Sequence, residues 1–231
     1  MGNAAAKELD ETKLGVGTID DGKAIAKAFV TGDDGSTMLK NKGKKWVKFT
    51  DDEETLLWSY KHKGLFRKQT IVMDSEEKIV AIIFTGKKSM FSCDTYIVRK
   101  IPAFDGQPPL TAEELEGGNL KEIAGDEPLY KFAKIESATK LSTASCTYSL
   151  YGEGDALTAL YTGEKLASLG FRAIFKDTDG TAIAKASVPG MALSPQVEAG
   201  SKVDMLAVVS MGYQLTGDES AAGALAGAGV V

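Results

Sequence analysis

SKVDMLAVVSMGY, residues 201–213, is the stretch whose reading decides the fold. Val203, Met205, Leu206, Ala207, Val208, Val209, Met211 and Tyr213 leave a helix built from it without a polar face. Ser201 can cap that helix, and Asp204, three residues on, sits near the positive end of its dipole. A helix that is apolar all round has to be buried. About 14 residues at about 1.5 Å each span roughly 21 Å, too short to cross a bilayer, so protein must surround it.

The rest of the chain supplies strands for that purpose. KWVKF (45–49), LLWSY (56–60), QTIVM (69–73), KIVAIIF (78–84) and TYIVR (95–99) are β-prone runs, and AIAKAFV (24–30) is also read as a strand. DSEE (74–77) turns the third run into the fourth as a hairpin. Residues 102–127 break the pattern: Pro102, Pro108 and Pro109 lead to TAEELE (111–116), where Thr111 and Glu114 form a helix-start signature. Strands resume at 129–135, 145–151, 157–161, 171–175 and 181–187, the last two joined by the turn DTDG (177–180). DSEEKIVA (74–81) and DTDGTAIA (177–184) share a turn-then-strand pattern, which suggests two similar halves. Many strands and one wholly apolar helix predict a mainly β chain, closed as a barrel with the helix through its middle. Residues 1–23 read as a flexible polar arm, 24–218 as the barrel domain, and 219–231 as a loose Gly/Ala-rich tail.

Composition narrows the function. The chain has 231 residues, 43% hydrophobic, and a net charge of −5, which argues against a general nucleic-acid binder. Residues 40–100 nevertheless hold 14 Lys/Arg against 8 Asp/Glu. Such a basic middle is either a solvated face or a surface for an anionic partner. Cys93 and Cys146 make neither a disulfide framework nor a zinc site, and suit reduced thiols in the cytosol. No secretory leader and no bilayer-spanning run is visible, so any membrane attachment is expected to be peripheral.

Three stretches resemble the LURP-one-related proteins of the tubby C-terminal-like and phospholipid-scramblase superfamily. TIVMDSEEKIVAIIFTGKKSMFSCDTYIVRK (70–100) places Asp74, Lys78, Lys87, Lys88, Asp94, Thr95 and Tyr96 where that pattern has them, with Glu77 in place of the turn glycine. DTDGTAIAKAS (177–187) matches the hairpin of the other half. VEAGSKVDMLAVVSMGYQ (197–214) is similar to the family's final helix. The resemblance implies a closed tubby-like β-barrel of about twelve strands around a buried hydrophobic C-terminal helix. It also implies functions at membranes, since tubby-like members bind phosphoinositides through Lys and Arg of the barrel wall.

Signatures of catalysis are missing. Gly86-Lys-Lys-Ser89 lacks the first P-loop glycine, and Gly152-Glu-Gly154 and Gly15-Val-Gly17 lack the third of a dinucleotide fingerprint. Asp177-Thr-Asp-Gly180 is a turn, because a calcium loop in that register would begin at Phe175. His62 is the only histidine, Asp51–Glu54 suit a hydrated acidic turn, and no nucleophile elbow, metal set or cofactor motif is visible. Met1-Gly2-Asn3 permits myristoylation of Gly2, although Ala6 replaces the usual Ser or Thr. The expectation is a non-enzymatic, cytoplasmic, membrane-associated module without cofactor or metal. It binds acidic phospholipid headgroups, or a membrane-proximal protein, through Lys61, Lys63, Arg67, Lys68, Lys87 and Lys88, with Gly2 as lipidation site. The alternative is a structural or adaptor barrel that serves as a protein–protein scaffold.

Overall fold

The structure, a computed structural model, describes residues 2–19, 23–33, 36–49, 54–63, 69–87, 93–140, 143–166, 171–188 and 195–216. Twelve antiparallel strands close into one barrel in sequence order: β1 (Thr37–Lys42), β2 (Lys45–Phe49), β3 (Glu54–Lys63), β4 (Gln69–Met73), β5 (Ile79–Lys87), β6 (Cys93–Arg99), β7 (Tyr130–Lys140), β8 (Thr143–Tyr151), β9 (Leu157–Lys165), β10 (Arg172–Asp177), β11 (Ala182–Ser187) and β12 (Gln196–Ala199), which pairs back onto β1. Closure leaves the sheet without a free outer strand. Apolar side chains face inward, and Lys61, Lys134, Lys176 and Lys185 lie outward, the reverse of a membrane-spanning barrel. No helix among the described residues is long and apolar enough to cross a membrane.

One expected strand is absent. Residues 24–30 contain a single 3₁₀ turn, Lys27–Phe29, and only Val30 makes an isolated bridge, to Asp204. Ala24 and Ile25 are buried in succession, while Lys27 and Ala28 are exposed, so the alternation that a strand needs is missing. Phe29 instead inserts into the barrel, 5.0 Å from the ring of Trp58.

The helix α4 (Met205–Thr216) runs inside the barrel, and residues 205–212 are buried on all sides. Its cap is Asp204 rather than Ser201. Asp204 Oδ1 accepts from the N–H groups of Leu206 (3.0 Å) and Ala207 (3.1 Å), whereas Ser201 Oγ donates to the Asp33 carbonyl. The helix packs mainly against β7–β10. Gly163 and Ala173 are small inward positions there, set among the larger Phe132, Tyr148, Tyr161 and Phe175; a Cβ on Gly163 would lie 2.9 Å from the Phe175 ring. On the other side Trp46, Trp58, Tyr60 and Phe29 fill the width.

The two halves repeat in detail. Asp74 Oδ1 accepts from the N–H groups of Glu76 and Lys78, and Asp177 Oδ1 from those of Asp179 and Thr181. Both turns close with the same backbone bonds, and both take positive φ at the fourth position, 61° at Glu77 and 82° at Gly180. The β-bulge at Val72/Met73 recurs at Phe175/Lys176. The stacked pair Trp46–Trp58 (6.0 Å, 26°) recurs as Tyr148–Tyr161 (5.9 Å, 26°) at the corresponding bulge. β1–β6 and β7–β12 are thus two versions of one six-stranded unit.

Two segments dress the barrel. Thr111 and Glu114 form the expected capping box of α2 (Ala112–Gly117), and with α3 (Lys121–Ala124) this insert covers an apolar outer patch of β5 and β6 around Ile82 and Val98. Residues 2–19, read from composition as part of a loose arm, form the helix α1 (Gly2–Glu11) and an extended strap. Leu9 is buried, and the N–H groups of Gly15 and Gly17 donate to the carbonyls of Ala182 (2.8 Å) and Ser201 (2.7 Å). The tail at 219–231 lies outside the described residues.

Candidate functional site

Strand direction sorts the barrel's charges. β3 and β5 run the same way, flanking β4, so Lys63 and Lys87 finish at one end of the barrel with a single strand between them. α4 ends there too: Trp46 and Thr95, near the same ends of β2 and β6, reach Tyr213 and Gln214. Lys44 and Lys45, exposed at the β1–β2 turn, and Lys165, the last residue of β9, belong to this end. The opposite end carries exposed Glu76 and Glu77, Glu153 and Asp155, and Asp179 in its turns, with Lys78 paired to Glu76 as a basic residue among them.

Tyr60 faces the interior and donates its hydroxyl to the Gly43 carbonyl at 2.8 Å. The alternation of β3 therefore turns Lys61 and Lys63 outward on one row. Lys61 is exposed; Lys63 meets Glu122 of α3 at 2.7 Å. Lys87 pairs across the sheet with Cys93. Arg67, Lys68 and Lys88 lie outside the described residues. Gly2 is the first residue of α1. The structure thus brings Lys61, Lys63 and Lys87 to one end, and gives Lys63 an acidic partner that the sequence did not reveal.

The motif Asp94-Thr95-Tyr96 has structural work. Buried Asp94 meets Lys134 of β7 at 3.1 Å, Thr95 donates to Gln214 Oε1 of α4 at 2.5 Å, and Tyr96 stacks on Phe84 at 5.4 Å. These contacts fix β6 to its neighbour strand, to the central helix and to the outer patch.

A second polar cluster sits within the acidic end. Asp204 Oδ2 accepts from Ile25 N–H at 2.7 Å, and Arg99 donates to the carbonyls of Ala24 (2.8 Å), Ile101 (2.9 Å) and Pro102 (3.1 Å) while lying 4.0 Å over the Phe132 ring. Acid and base thus grip residues 24–25 from both sides and hold them across the barrel mouth. Burial pushes the Asp204 carboxyl up to about 6, against the three N–H bonds that favour its charge. Burial also lowers Arg99 from its ordinary value, and raises Tyr148, whose hydroxyl has no hydrogen-bond partner among the described residues. Asp204 and Tyr148 are both sealed from solvent, and the cluster staples residues 24–25 to the barrel.

Burial pushes the Cys146 thiol up to about 12, so it is a small core residue and not a thiolate. His62 Nδ1 lies 3.1 Å from Thr70 Oγ1 at an exposed site. Among the described residues no three His, Cys, Asp or Glu side chains gather as metal ligands. In comparisons with known proteins, no family model matches the chain and no curated protein matches it.

Proposed function

We propose that the chain is a non-enzymatic, peripheral membrane-binding module whose basic end, where α4 emerges, faces anionic phospholipid headgroups. The observation that carries this reading is the sorting of charge along the barrel axis: Lys44, Lys45, Lys61 and Lys87 at one end, acidic turns at the other. An anionic surface attracts each nearby lysine by about 1 kcal/mol and repels the acidic end, so it orients the barrel as well as holding it. A barrel around a C-terminal helix is also the build that the resemblance to LURP-one-related and tubby-like proteins implies. An acyl group on Gly2 would add a second anchor, since one myristoyl chain alone binds only marginally.

Charge reversal tests the reading. The double variant Lys61→Glu with Lys87→Glu should bind vesicles containing acidic phospholipid more than tenfold more weakly than wild type, because two contributions of about 1 kcal/mol are lost and inverted. Equal binding by both proteins would exclude this end as the contact surface. The adaptor reading draws support from the Lys63–Glu122 pair, which neutralises part of the same face.

A further inference from the structure

Residues 24–25 cross the mouth of the barrel over a buried carboxyl. Ile25 N–H donates to Asp204 Oδ2 at 2.7 Å, and the Arg99 guanidinium donates to the carbonyls of Ala24 (2.8 Å) and Ile25 (3.4 Å). Asp204 Oδ1 is engaged elsewhere, on the Leu206 and Ala207 N–H groups that start α4. One oxygen therefore caps the helix while the other latches the crossing segment. Separate anchors bound that segment. Gly17 N–H donates to the Ser201 carbonyl (2.7 Å) and Thr31 N–H to the Val203 carbonyl (3.0 Å), while Phe29 is buried against Trp58.

Beneath the latch the closed form leaves polar groups short of partners. The buried Tyr148 hydroxyl has no hydrogen-bond partner among the described residues, and Asp204 carries charge only against the cost of burial. Both favour a rearrangement that admits water. Arg99 of β6, Tyr148 of β8 and Tyr161 of β9 face Asp204 from the barrel wall, and Ile25 offers it only backbone. Asp177 of β10 acts on Tyr161 from beyond, and Lys202, two residues before Asp204, meets Asp33 at 3.5 Å. Arg99 keeps its proton at any ordinary pH. Burial raises both tyrosines above their usual range, so within the buried cluster it is Asp204 whose charge changes between pH about 4 and about 8.

We propose that residues 24–25 are a pH-controlled lid on this mouth of the barrel, closed over a protonated Asp204 and released as Asp204 ionises. Lifting them gives Oδ2 and the Tyr148 hydroxyl to water. Oδ1 keeps its cap on α4, and Arg99 keeps its bonds to Ile101 and Pro102, so the barrel stays folded. A carboxyl that burial holds above its usual value regains that value once hydrated. Opening therefore releases a proton and becomes easier as pH rises. The lid lies at the end opposite the lysines assigned to the membrane and does not rest on that reading.

Amide hydrogen exchange of the full chain, followed by NMR and corrected for intrinsic rates, tests it. Ile25 is expected to exchange at least tenfold faster than core amides of β8 and α4, with little response to low urea, because the opening exposes little surface. Gly17 and Thr31 should stay more protected than Ile25 throughout. From pH about 4 to about 7.5 the protection of Ile25 should fall more than tenfold and level off above about 6; the rise of the carboxyl from 3.8 to about 6 caps the fall at about a hundredfold. The carbon-13 shift of the Asp204 carboxyl should titrate where the fall levels off, and Asp204→Asn should abolish the fall. Three wild-type results overturn the proposal without any variant: Ile25 exchanging only together with the core amides, protection that stays level or rises with pH, or a carboxyl that titrates away from the levelling point. A fall that persists in Asp204→Asn overturns it too.

Discussion

Removing the Asp204 carboxylate should give a stability loss that changes with pH in a defined direction. The side chain accepts three buried N–H groups, from Ile25, Leu206 and Ala207. Each orphaned donor costs about 1–3 kcal/mol, so Asp204→Ala forfeits ~3–9 kcal/mol. Against this, the variant escapes the cost of keeping a charge buried. A carboxyl raised from 3.8 to about 6 corresponds to ~3 kcal/mol, at about 1.36 kcal/mol per unit. In the window between those values the folded wild type binds more protons than the unfolded chain. Wild-type stability from this group is therefore greatest below about 4, falls as pH rises through 6, and is level above it. The variant lacks that fall. Urea unfolding of both proteins at pH about 4 and about 7.5 should show the penalty of Asp204→Ala shrinking by ~3 kcal/mol at the higher pH, leaving a net loss of up to ~6 kcal/mol. A penalty that stays constant, or grows, with pH would refute the assignment of a buried, upward-shifted cap.

The repeated turn offers a stabilising change: Glu77→Gly relieves a non-glycine residue at φ 61° and should raise stability by ~0.5–1 kcal/mol, while Gly180→Glu at φ 82° should lower it by a similar amount, both read by urea midpoints. Gly163→Leu should cost several kcal/mol or prevent folding, because the space beside Phe175 and Cys146 is already filled; wild-type melting would contradict the packing of α4 on that wall. Val208→Asp places an unpaired charge inside the barrel and should unfold the domain, as seen by loss of near-UV circular dichroism.

Residues that act through near neighbours were legible in the sequence. The all-round apolar run at 203–213 fixed the central helix, Thr111 and Glu114 fixed the start of α2, and Asp177 to Gly180 fixed a hairpin turn. β1 escaped notice because its inward row is Thr37, Leu39 and Asn41, with a single aliphatic residue among Lys-rich neighbours. β12 is only four residues long. Ser201 and Asp204 both suit a cap, and tertiary contacts chose between them by giving Ser201 the Asp33 carbonyl. At the candidate site the sequence showed the lysines but not their ends of the barrel. That requires the strand directions, and the Lys63–Glu122 pair requires the insert folded back over the wall.

The most direct test of the membrane reading is flotation of the wild-type protein with vesicles of neutral lipid, and of neutral lipid plus acidic phospholipid, at low and at high salt. The account expects the protein to float with the acidic vesicles only, and to be released as salt shortens the range of the field to about 3 Å near 1 M. Protein that stays at the bottom of the gradient with acidic vesicles at low salt, or floats equally with neutral ones, would contradict it.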